Sequence, residues 1–346
     1  MLKIFKRLLL ILPAAVLAFG CAAPKLPDVV WPLPPDEPRI KFVKSYHSST
    51  DIKRDSVAAA IIIGAKSAYR LRKPAGVHVD GQGKIYVTDT AYADVFIYDP
   101  VNEKSTSIGT MGSHLLSKPI GVATDSTGRI FVADTRVDKV VVVSPEGRFI
   151  TYMAPDKPFE QPSGIAIDEP HNRIYVVDTH QHNVRVFDFK TLKYIKTIGG
   201  RGAEEGRFNY PSNITVDKDG KLYVVDTMNA RVQIFDKEGR FLLTFGRFGD
   251  IAGEFARPKG IGVDSEGHIY VADAAFNNVQ IFDQEGRILM AFGGYGNGRG
   301  LMILPAGLYI DKDDYIYVVD SWNARVVVYE FLGEKHNERE KTKKGG

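Results

Sequence analysis

The sequence predicts an all-β fold, a six-bladed β-propeller whose blades are four-stranded antiparallel sheets and whose ring is closed by an N-terminal strand. A six-fold internal repeat, four short strands in each of the first five repeats and an unpartnered strand near the N-terminus support this prediction. Residues 258–286 show the unit most clearly, since alternating apolar runs (GIGVD, HIYVAD, NVQIFD) are separated by turns rich in Gly and Asp. The run RILMAFG then supplies a fourth strand.

Two positions recur in every repeat and set its period. The first strand begins with Pro-x-Gly at five prolines, and the sixth copy has Asn213 in place of Gly: Pro74, Pro119, Pro162, Pro258, Pro305 and Pro211-Ser212-Asn213. The second strand ends with an aspartate at intervals of 45, 44, 48, 47 and 47 residues: Asp89, Asp134, Asp178, Asp226, Asp273 and Asp320. A four-stranded unit with this period is typical of propeller blades. Because chemistry seldom needs six equivalent carboxylates, we expect these aspartates to accept backbone N–H groups in the turns.

The ring is predicted to close between the two ends of residues 39–332. Residues 39–46 (RIKFVKSY) read as an amphipathic strand with no hairpin partner nearby, and the last repeat has no fourth strand after Leu332. Placing the N-terminal strand beside the last repeat removes two exposed sheet edges.

The segments before the first repeat predict export. Residues 1–20 have a basic start, a short apolar run and small residues before Cys21, and Ala18-Phe19-Gly20-Cys21 resembles a bacterial lipobox. We therefore expect residues 1–20 to be a lipoprotein signal peptide and Cys21 to be lipidated; an ordinary signal peptide with a chance cysteine is the alternative. Ala22 after the cysteine favours the outer membrane, with the domain facing the periplasm or the cell exterior. Residues 21–38, rich in proline, are expected to be a tether.

Two further segments lie outside the repeats. Within residues 51–71 an Ala-rich run predicts a helical insert, and Ile61–Ile63 must pack either on the propeller rim or over the channel mouth. The charged residues 333–346 are expected to be a disordered tail.

Composition excludes several classes of protein. The formal net charge of +3 is accounted for by Lys3, Lys6 and Arg7 of the leader, so the remainder lacks the basic excess of a nucleic-acid-binding domain. The single cysteine rules out intrachain disulfides, c-type haem attachment and multi-cysteine metal sites, and we expect no bound cofactor.

The repeat resembles the NHL repeat over roughly residues 72–332. Its fullest copy is LYVVDTMNARVQIFDKEGRFLLTFG (Leu222 to Gly246), and the last repeat contains IYVVDSWNARVVVYE. The resemblance implies a six-bladed propeller but no single function, because NHL-type scaffolds include lyases, lactonases, RNA binders and protein-binding modules. The stretch WPLPPDEPRIKFV is similar to exported bacterial NHL lipoproteins, which implies a link to multihaem cytochrome systems outside the cytoplasm.

The resemblance also provides a test for enzymatic function. NHL-like amidating lyases place zinc ligands directly after the first proline of the repeat, where this chain has Ala75, Ile120, Ser163, Ser212, Lys259 and Ala306. None of these is a preferred zinc ligand, so we expect no metal and no catalytic residue there. His78 and Tyr309 are expected either to form a polar cluster near the channel or to be satisfied core residues. His180 and His182 share one turn but lack a third ligand.

Bulky residues at the tips of the turns between second and third strands point to recognition. These turns lie on the same face as the Pro-x-Gly motifs, which we call the top face. We expect a protein or peptide partner, and no nucleic acid, to bind there through Tyr92, Met228, Arg231, Lys259, Phe276, Trp322 and Arg325. Arg231 and Arg325 are also expected to bridge to the aspartates five residues before them. The alternatives are local packing for the aromatic tips, and a propeller lyase or lactonase at the channel mouth for the whole protein.

Changing Cys21 to serine tests the anchoring prediction. Serine cannot form the thioether of a lipoprotein, so Cys21→Ser should abolish acyl labelling and release the protein from the membrane fraction. Metabolic labelling with a fatty-acid analogue and cell fractionation measure both effects. Parent protein that takes up no label and fractionates as free protein would contradict the prediction.

Overall fold

Six antiparallel sheets form the blades of a closed ring in the computed structural model, which describes residues 27–52, 70–109 and 116–345. The predicted six-bladed all-β propeller is therefore confirmed. The predicted signal peptide, Cys21 and the predicted helical insert with Ile61–Ile63 lie outside the described residues. No helix in the described ranges is both long and apolar enough to cross a membrane.

The first three blades follow the chain in order. Blade 1 comprises β3 (Pro74–Val79), β4 (Ile85–Asp89), β5 (Asp94–Asp99) and β6 (Lys104–Ser107). Blade 2 comprises β7 (Pro119–Thr124), β8 (Ile130–Asp134), β9 (Lys139–Val143) and β10 (Phe149–Tyr152). Blade 3 comprises β11 (Pro162–Asp168), β12 (Arg173–Asp178), β13 (Asn183–Asp188) and β14 (Tyr194–Gly199).

The last three blades include the N-terminal strands. Blade 4 comprises β15 (Pro211–Val216), β16 (Leu222–Asp226), β17 (Arg231–Phe235) and β18 (Phe241–Phe245). Blade 5 comprises β19 (Pro258–Val263), β20 (Ile269–Asp273), β21 (Asn278–Phe282) and β22 (Ile288–Gly293). Blade 6 has five strands in the order β1 (Val30–Trp31), β2 (Ile40–Tyr46), β25 (Arg325–Phe331), β24 (Tyr315–Asp320) and β23 (Pro305–Ile310). Short 3₁₀ turns occupy Ser49–Asp51 and Thr227–Asn229.

The first strands line the central channel and approach one another closely. A Cβ atom added to Gly121 would lie 1.9 Å from the carbonyl oxygen of Ser163 in the next blade, and one added to Gly76 would lie 2.2 Å from that of Ile120. No side chain fits in that space, which explains the glycine of the Pro-x-Gly motif.

Apolar packing between neighbouring blades forms the core. Each of six buried clusters is shared by two adjacent sheets, including one that joins blade 6 to blade 1 through Val319, Val326, Val77 and Val87. The described chain contains no disulfide, so burial between blades carries the stability.

The aspartate that ends each second strand joins the top-face turns to the segment that precedes the first strand of the same blade. Asp89 is fully buried and accepts N–H groups from Arg72 and Lys73, just before Pro74, and from Ala91 and Tyr92 in its own turn. We call the six equivalent residues the Asp clasps: Asp89, Asp134, Asp178, Asp226, Asp273 and Asp320. The prediction that these carboxylates accept backbone N–H groups is confirmed.

The predicted ring closure is confirmed by the pairing of β2 with β25. The register runs from Ile40 opposite Phe331 to Tyr46 opposite Val326, with an irregularity between Phe42 and Lys44. Ile40, Phe42 and Tyr46 are buried, and the irregularity lets the following Lys44 point to solvent. The N-terminal strand therefore completes the sheet of the last blade.

Part of the predicted tether is folded. Val30–Trp31 pairs with β2, and the Trp31 ring packs 6.0 Å from Phe292 and 5.7 Å from Tyr329, measured between ring centroids. Arg299 donates to the carbonyl of Pro27. The indole group of Trp31 thus holds residues 27–31 against blades 5 and 6. The proline content of this segment had predicted an extended tether instead.

The C-terminal tail is helical over Glu334–Gly345 rather than disordered as expected. His336 and Arg339 lie on one face of this helix and both hydrogen-bond Glu330 of blade 6, at 2.8 and 2.7 Å. Lys, Glu and Arg are good helix formers, and this ion-paired contact gives the polar helix a docking point that the composition did not reveal.

Deleting residues 39–47 should lower the melting temperature strongly and cause aggregation. The deletion removes β2, which exposes the edge of β25 and leaves Tyr329 and Phe331 without part of their packing. Thermal unfolding by circular dichroism and size-exclusion chromatography measure the two effects. A shortened protein that melts like the parent and stays monomeric would contradict closure by this strand.

Candidate functional site

The central channel contains a cavity of about 640 Å³ lined by the first strands of the blades. Polar residues line the cavity beside blades 3 to 5, where Ser163, Ser212, Asn213 and Lys259 lie, and also on the opposite side, where His78, Asp80, Thr124, Asp125 and Tyr309 lie. The cavity can admit a side chain or a chain end rather than a folded element.

His78 and Tyr309 form a cluster in the channel wall, one of the two alternatives that the sequence left open. Their ring centroids are 4.4 Å apart in an edge-to-face arrangement, and His78 Nε2 lies 2.9 Å from the hydroxyl of Thr124. Burial lowers the pKa of His78 from 6.5 to about 4, so the imidazole is neutral at physiological pH. Burial raises the pKa of Tyr309, which stays protonated. The cluster can therefore exchange hydrogen bonds with a channel ligand without carrying charge.

Hydroxyl pairs and one amine mark the channel mouth on the top face. Ser163 and Thr179 are 2.8 Å apart, and Ser212 and Thr227 are 2.7 Å apart. Lys259 lines the same cavity, and its pKa is lowered by burial and, secondarily, by the charge of Arg257. The mouth thus offers hydroxyl groups and a partly desolvated amine.

Arg231 and Arg325 were predicted to contact a partner, but in the structure both guanidinium groups bind atoms of this chain. Arg325 is buried, pairs with Asp320 at 2.8 Å and donates to the carbonyls of Asn297, Gly298 and Leu301. Arg231 pairs with Asp226 at 2.8 Å and donates to two loop carbonyls. The predicted bridges to the aspartates are confirmed, and these bonds, which no local pattern shows, make both arginines positioning residues for the loops.

Three of the four predicted apolar tips are exposed. The exposed fraction is 51% for Tyr92, 64% for Met228 and 71% for Trp322, whereas Phe276 is partly buried. The backbone N–H groups of Met228 and Trp322 donate to the segments that precede β15 and β23, which fixes these turns on the top face. Packing within the propeller therefore buries part of the Phe276 side chain, whereas most of the Trp322 side chain is left exposed.

Further exposed apolar residues lie on the loops that lead from a fourth strand to the next first strand. Phe248 is 78% exposed, Tyr295 74% and Ile251 61%. The backbone of Phe248 forms an isolated β-bridge with that of Phe255, and Tyr295 forms one with Met302. The side chains of Phe255 and Met302 are fully buried. These residues lie outside the predicted recognition set, although the aligned loops GRFGDIAGEF and GGYGNGRGLM show an aromatic residue at the same position.

Of the two histidines in the top-face turn of blade 3, His182 is part of the packing and His180 is exposed. His182 is buried, its Nδ1 accepts the N–H of Tyr210 at 3.0 Å, and its ring contacts that tyrosine. Among the described residues, no group of three or more His, Cys, Asp or Glu side chains is arranged to hold a metal ion.

Comparison with known protein families supports the repeat assignment. A family described as a 6-bladed beta-propeller matches residues 201–275 and 263–342, and the NHL repeat matches residues 159–187. The chain thus contains NHL-type sequence within a six-bladed propeller.

Individual relatives match only short stretches. Human NHL repeat-containing protein 2 is 31% identical over 93 residues, which is 24% of this chain and 13% of that protein. A Caenorhabditis elegans protein named "Probable peptidyl-alpha-hydroxyglycine alpha-amidating lyase" is 31% identical over 88 residues, or 24% of this chain and 25% of that protein. Among solved structures, a streptogramin B lyase superposes with a TM-score of 0.57 at 15% identity, covering 75% of this chain and 94% of the lyase. This likeness shows the fold alone.

Two histidines should respond to pH in opposite directions. Because the pKa of folded His78 lies below 6.5, the unfolded chain binds more protons between pH 6.5 and about 4, and parent stability falls as pH falls through this window. The loss of unfolding free energy caused by His78→Gln should therefore be smaller at about pH 5 than at about pH 8. Urea unfolding of variant and parent at both pH values measures the difference.

His268→Gln serves as the matched comparison. The hydrogen bond with Asp264, 2.8 Å long, raises the pKa of His268 above 6.5. Its stabilisation is fully present below pH 6.5 and is lost as pH rises through the folded pKa, so the cost of His268→Gln should grow as pH falls. Equal pH dependence in the two variants would contradict both assignments.

Proposed function

We propose that this protein is a membrane-anchored scaffold outside the cytoplasm that binds a protein or peptide through the top face of its propeller. The observation that carries the proposal is the set of exposed apolar side chains on that face: Tyr92, Met228, Phe248, Ile251, Tyr295 and Trp322. Exposed side chains of this size cost solubility, and a bound partner offsets that cost.

The rigidity of the loops also favours recognition. Arg231 and Arg325 hold the loops before β15 and β23, and Gln280 holds the loop before β19 through Gly253 and Glu254. Aromatic residues on a preorganised frame lose little conformational entropy on binding, so more of their burial energy becomes affinity.

The remaining parts of the proposal come from the sequence. Lipidation at Cys21 would anchor the domain to the outer membrane, with the propeller facing the periplasm or the cell exterior. The similarity to exported NHL lipoproteins supports a role in the assembly of a multihaem cytochrome system. The proposed partner is accordingly a component of that system.

A second candidate is a lyase or lactonase that acts in the channel, and the neutral His78 beside Tyr309 favours it. Under the scaffold proposal the protein needs no metal. Elemental analysis of the purified protein that finds stoichiometric zinc or calcium would favour the enzyme instead.

Capture of partners from native membranes tests the scaffold proposal. Trp322→Ala combined with Phe248→Ala removes two exposed aromatics, each of which would contribute about 2 kcal/mol or more as a binding hot spot. Recovery of the captured partner should fall by more than about tenfold while the melting temperature stays nearly unchanged. Phe276→Ala in the same background should add a smaller loss of binding and some loss of stability, because Phe276 is partly buried.

Val101→Ala is the matched control. Val101 is 75% exposed in the turn between β5 and β6, on the face opposite the top. This variant should capture as much partner as the parent. Equal capture by the double variant, or loss of stability without loss of capture, would contradict recognition by these top-face residues.

A further inference from the structure

Three cations occupy equivalent positions around the channel mouth. Lys73, Lys118 and Arg257 each directly precede the proline that begins a first strand, in blades 1, 2 and 5, and all three are exposed. In each case the Asp clasp accepts the backbone N–H, and the carbonyl accepts an N–H from the turn after the clasp. The backbone of these residues is therefore held in one geometry, with the charged ends free at the rim.

These cations have no carboxylate partner among residues 27–52, 70–109 and 116–345. Many exposed arginines elsewhere do have one, as Arg240 does with Asp236 at 2.6 Å and Arg287 with Asp283 at 2.6 Å. The clasp carboxylates are buried and bind the backbone N–H groups of these residues rather than their charged ends. The three side chains at the mouth therefore keep free donors that no described carboxylate binds directly.

Lys259 extends this charge into the channel. It follows Pro258 and lines the cavity, and its ammonium group forms no hydrogen bond or ion pair with the described part of the chain. Burial and Arg257, rather than any carboxylate, shift its pKa, which lies below the ordinary value. A partly desolvated ammonium with free donors is best satisfied by an anion.

We infer that the channel mouth binds an acidic segment of the partner, with one carboxylate inserted against Lys259 and further acidic groups facing Lys73, Lys118 and Arg257. This inference rests on the proposed function and specifies the chemistry of the partner. The hydroxyl of Ser163 lies in the same cavity and can donate to the inserted carboxylate while it accepts from Thr179.

An acidic peptide fits the mouth better than a nucleic acid does. The three exposed cations precede first strands that line one central channel, and Lys259 alone among the four cations lines its cavity of about 640 Å³. The chain beyond the leader also lacks the general basic excess that binding to a phosphate backbone requires.

Fluorescence anisotropy with a synthetic peptide tests the inference. The probe is a labelled peptide of six glutamates with a free C-terminus, and the comparison probes are its glutamine equivalent and a labelled oligouridylate. At low salt the glutamate peptide should bind the parent protein, and Lys259→Met should raise its Kd by more than about tenfold. Lys73→Met, Lys118→Met and Arg257→Met should each have smaller effects, because rim charges are more screened.

Lys237→Met is the matched control, since Lys237 is exposed in a hairpin turn on the opposite face. Its Kd for the glutamate peptide should equal that of the parent, and all variants should melt like the parent. The inference is overturned if the glutamate peptide does not bind, if Lys237→Met weakens binding as much as Lys259→Met, or if the oligouridylate binds more tightly and is insensitive to Lys259→Met.

Capture from native membranes separates this inference from the proposed function. If the Trp322→Ala, Phe248→Ala variant loses the partner but Lys259→Met retains it, the scaffold function stands and acidic recognition is wrong. If neither variant changes capture, the proposed function fails as well. Loss of the partner in both supports the two together.

Discussion

The close approach of the six inner strands is the constraint on which the rest of the molecule depends. At Gly121 a Cβ atom would lie 1.9 Å from the neighbouring carbonyl oxygen, so the first strands can meet only where the chain has glycine or an equivalent adjustment, as at Asn213. This spacing brings adjacent sheets close enough to share buried apolar clusters. It also keeps the channel narrow, with a cavity volume of about 640 Å³. Any ligand of the channel must therefore approach from an end and insert one group.

The top face combines fixed backbone with variable side chains. The Asp clasps and the side chains of Arg231, Gln280 and Arg325 hold the turns and loops by hydrogen bonds to backbone atoms. Since backbone groups exist at every position, these bonds constrain shape without constraining which side chain is displayed. Residues such as Tyr295 and Trp322 can then change to suit a partner while the propeller stays the same.

Local patterns were sufficient for the fold and insufficient for the site. Apolar alternation and turn residues depend on residues close in sequence, so they predict the strands of each blade. Ring closure could also be predicted, because the last repeat has no fourth strand after Leu332 and the strand at residues 39–46 has no partner nearby. The role of Arg325 could not be predicted in full, because its carbonyl partners lie 24 to 28 residues earlier in the chain. The C-terminal helix was missed because its docking residue, Glu330, belongs to another element.

The pairing of β2 with β25 also imposes an order in time. β2 is synthesised before any of the repeats, yet its partner residues, such as Phe331 opposite Ile40, come last. The N-terminal strand must remain available, and unpaired with earlier blades, until the whole repeat array has been made. Bringing these ends together closes a loop of almost the entire domain, which costs chain entropy that no local contact repays. Completion of the ring is thus a single late event, and until then the two open edges need protection from other chains.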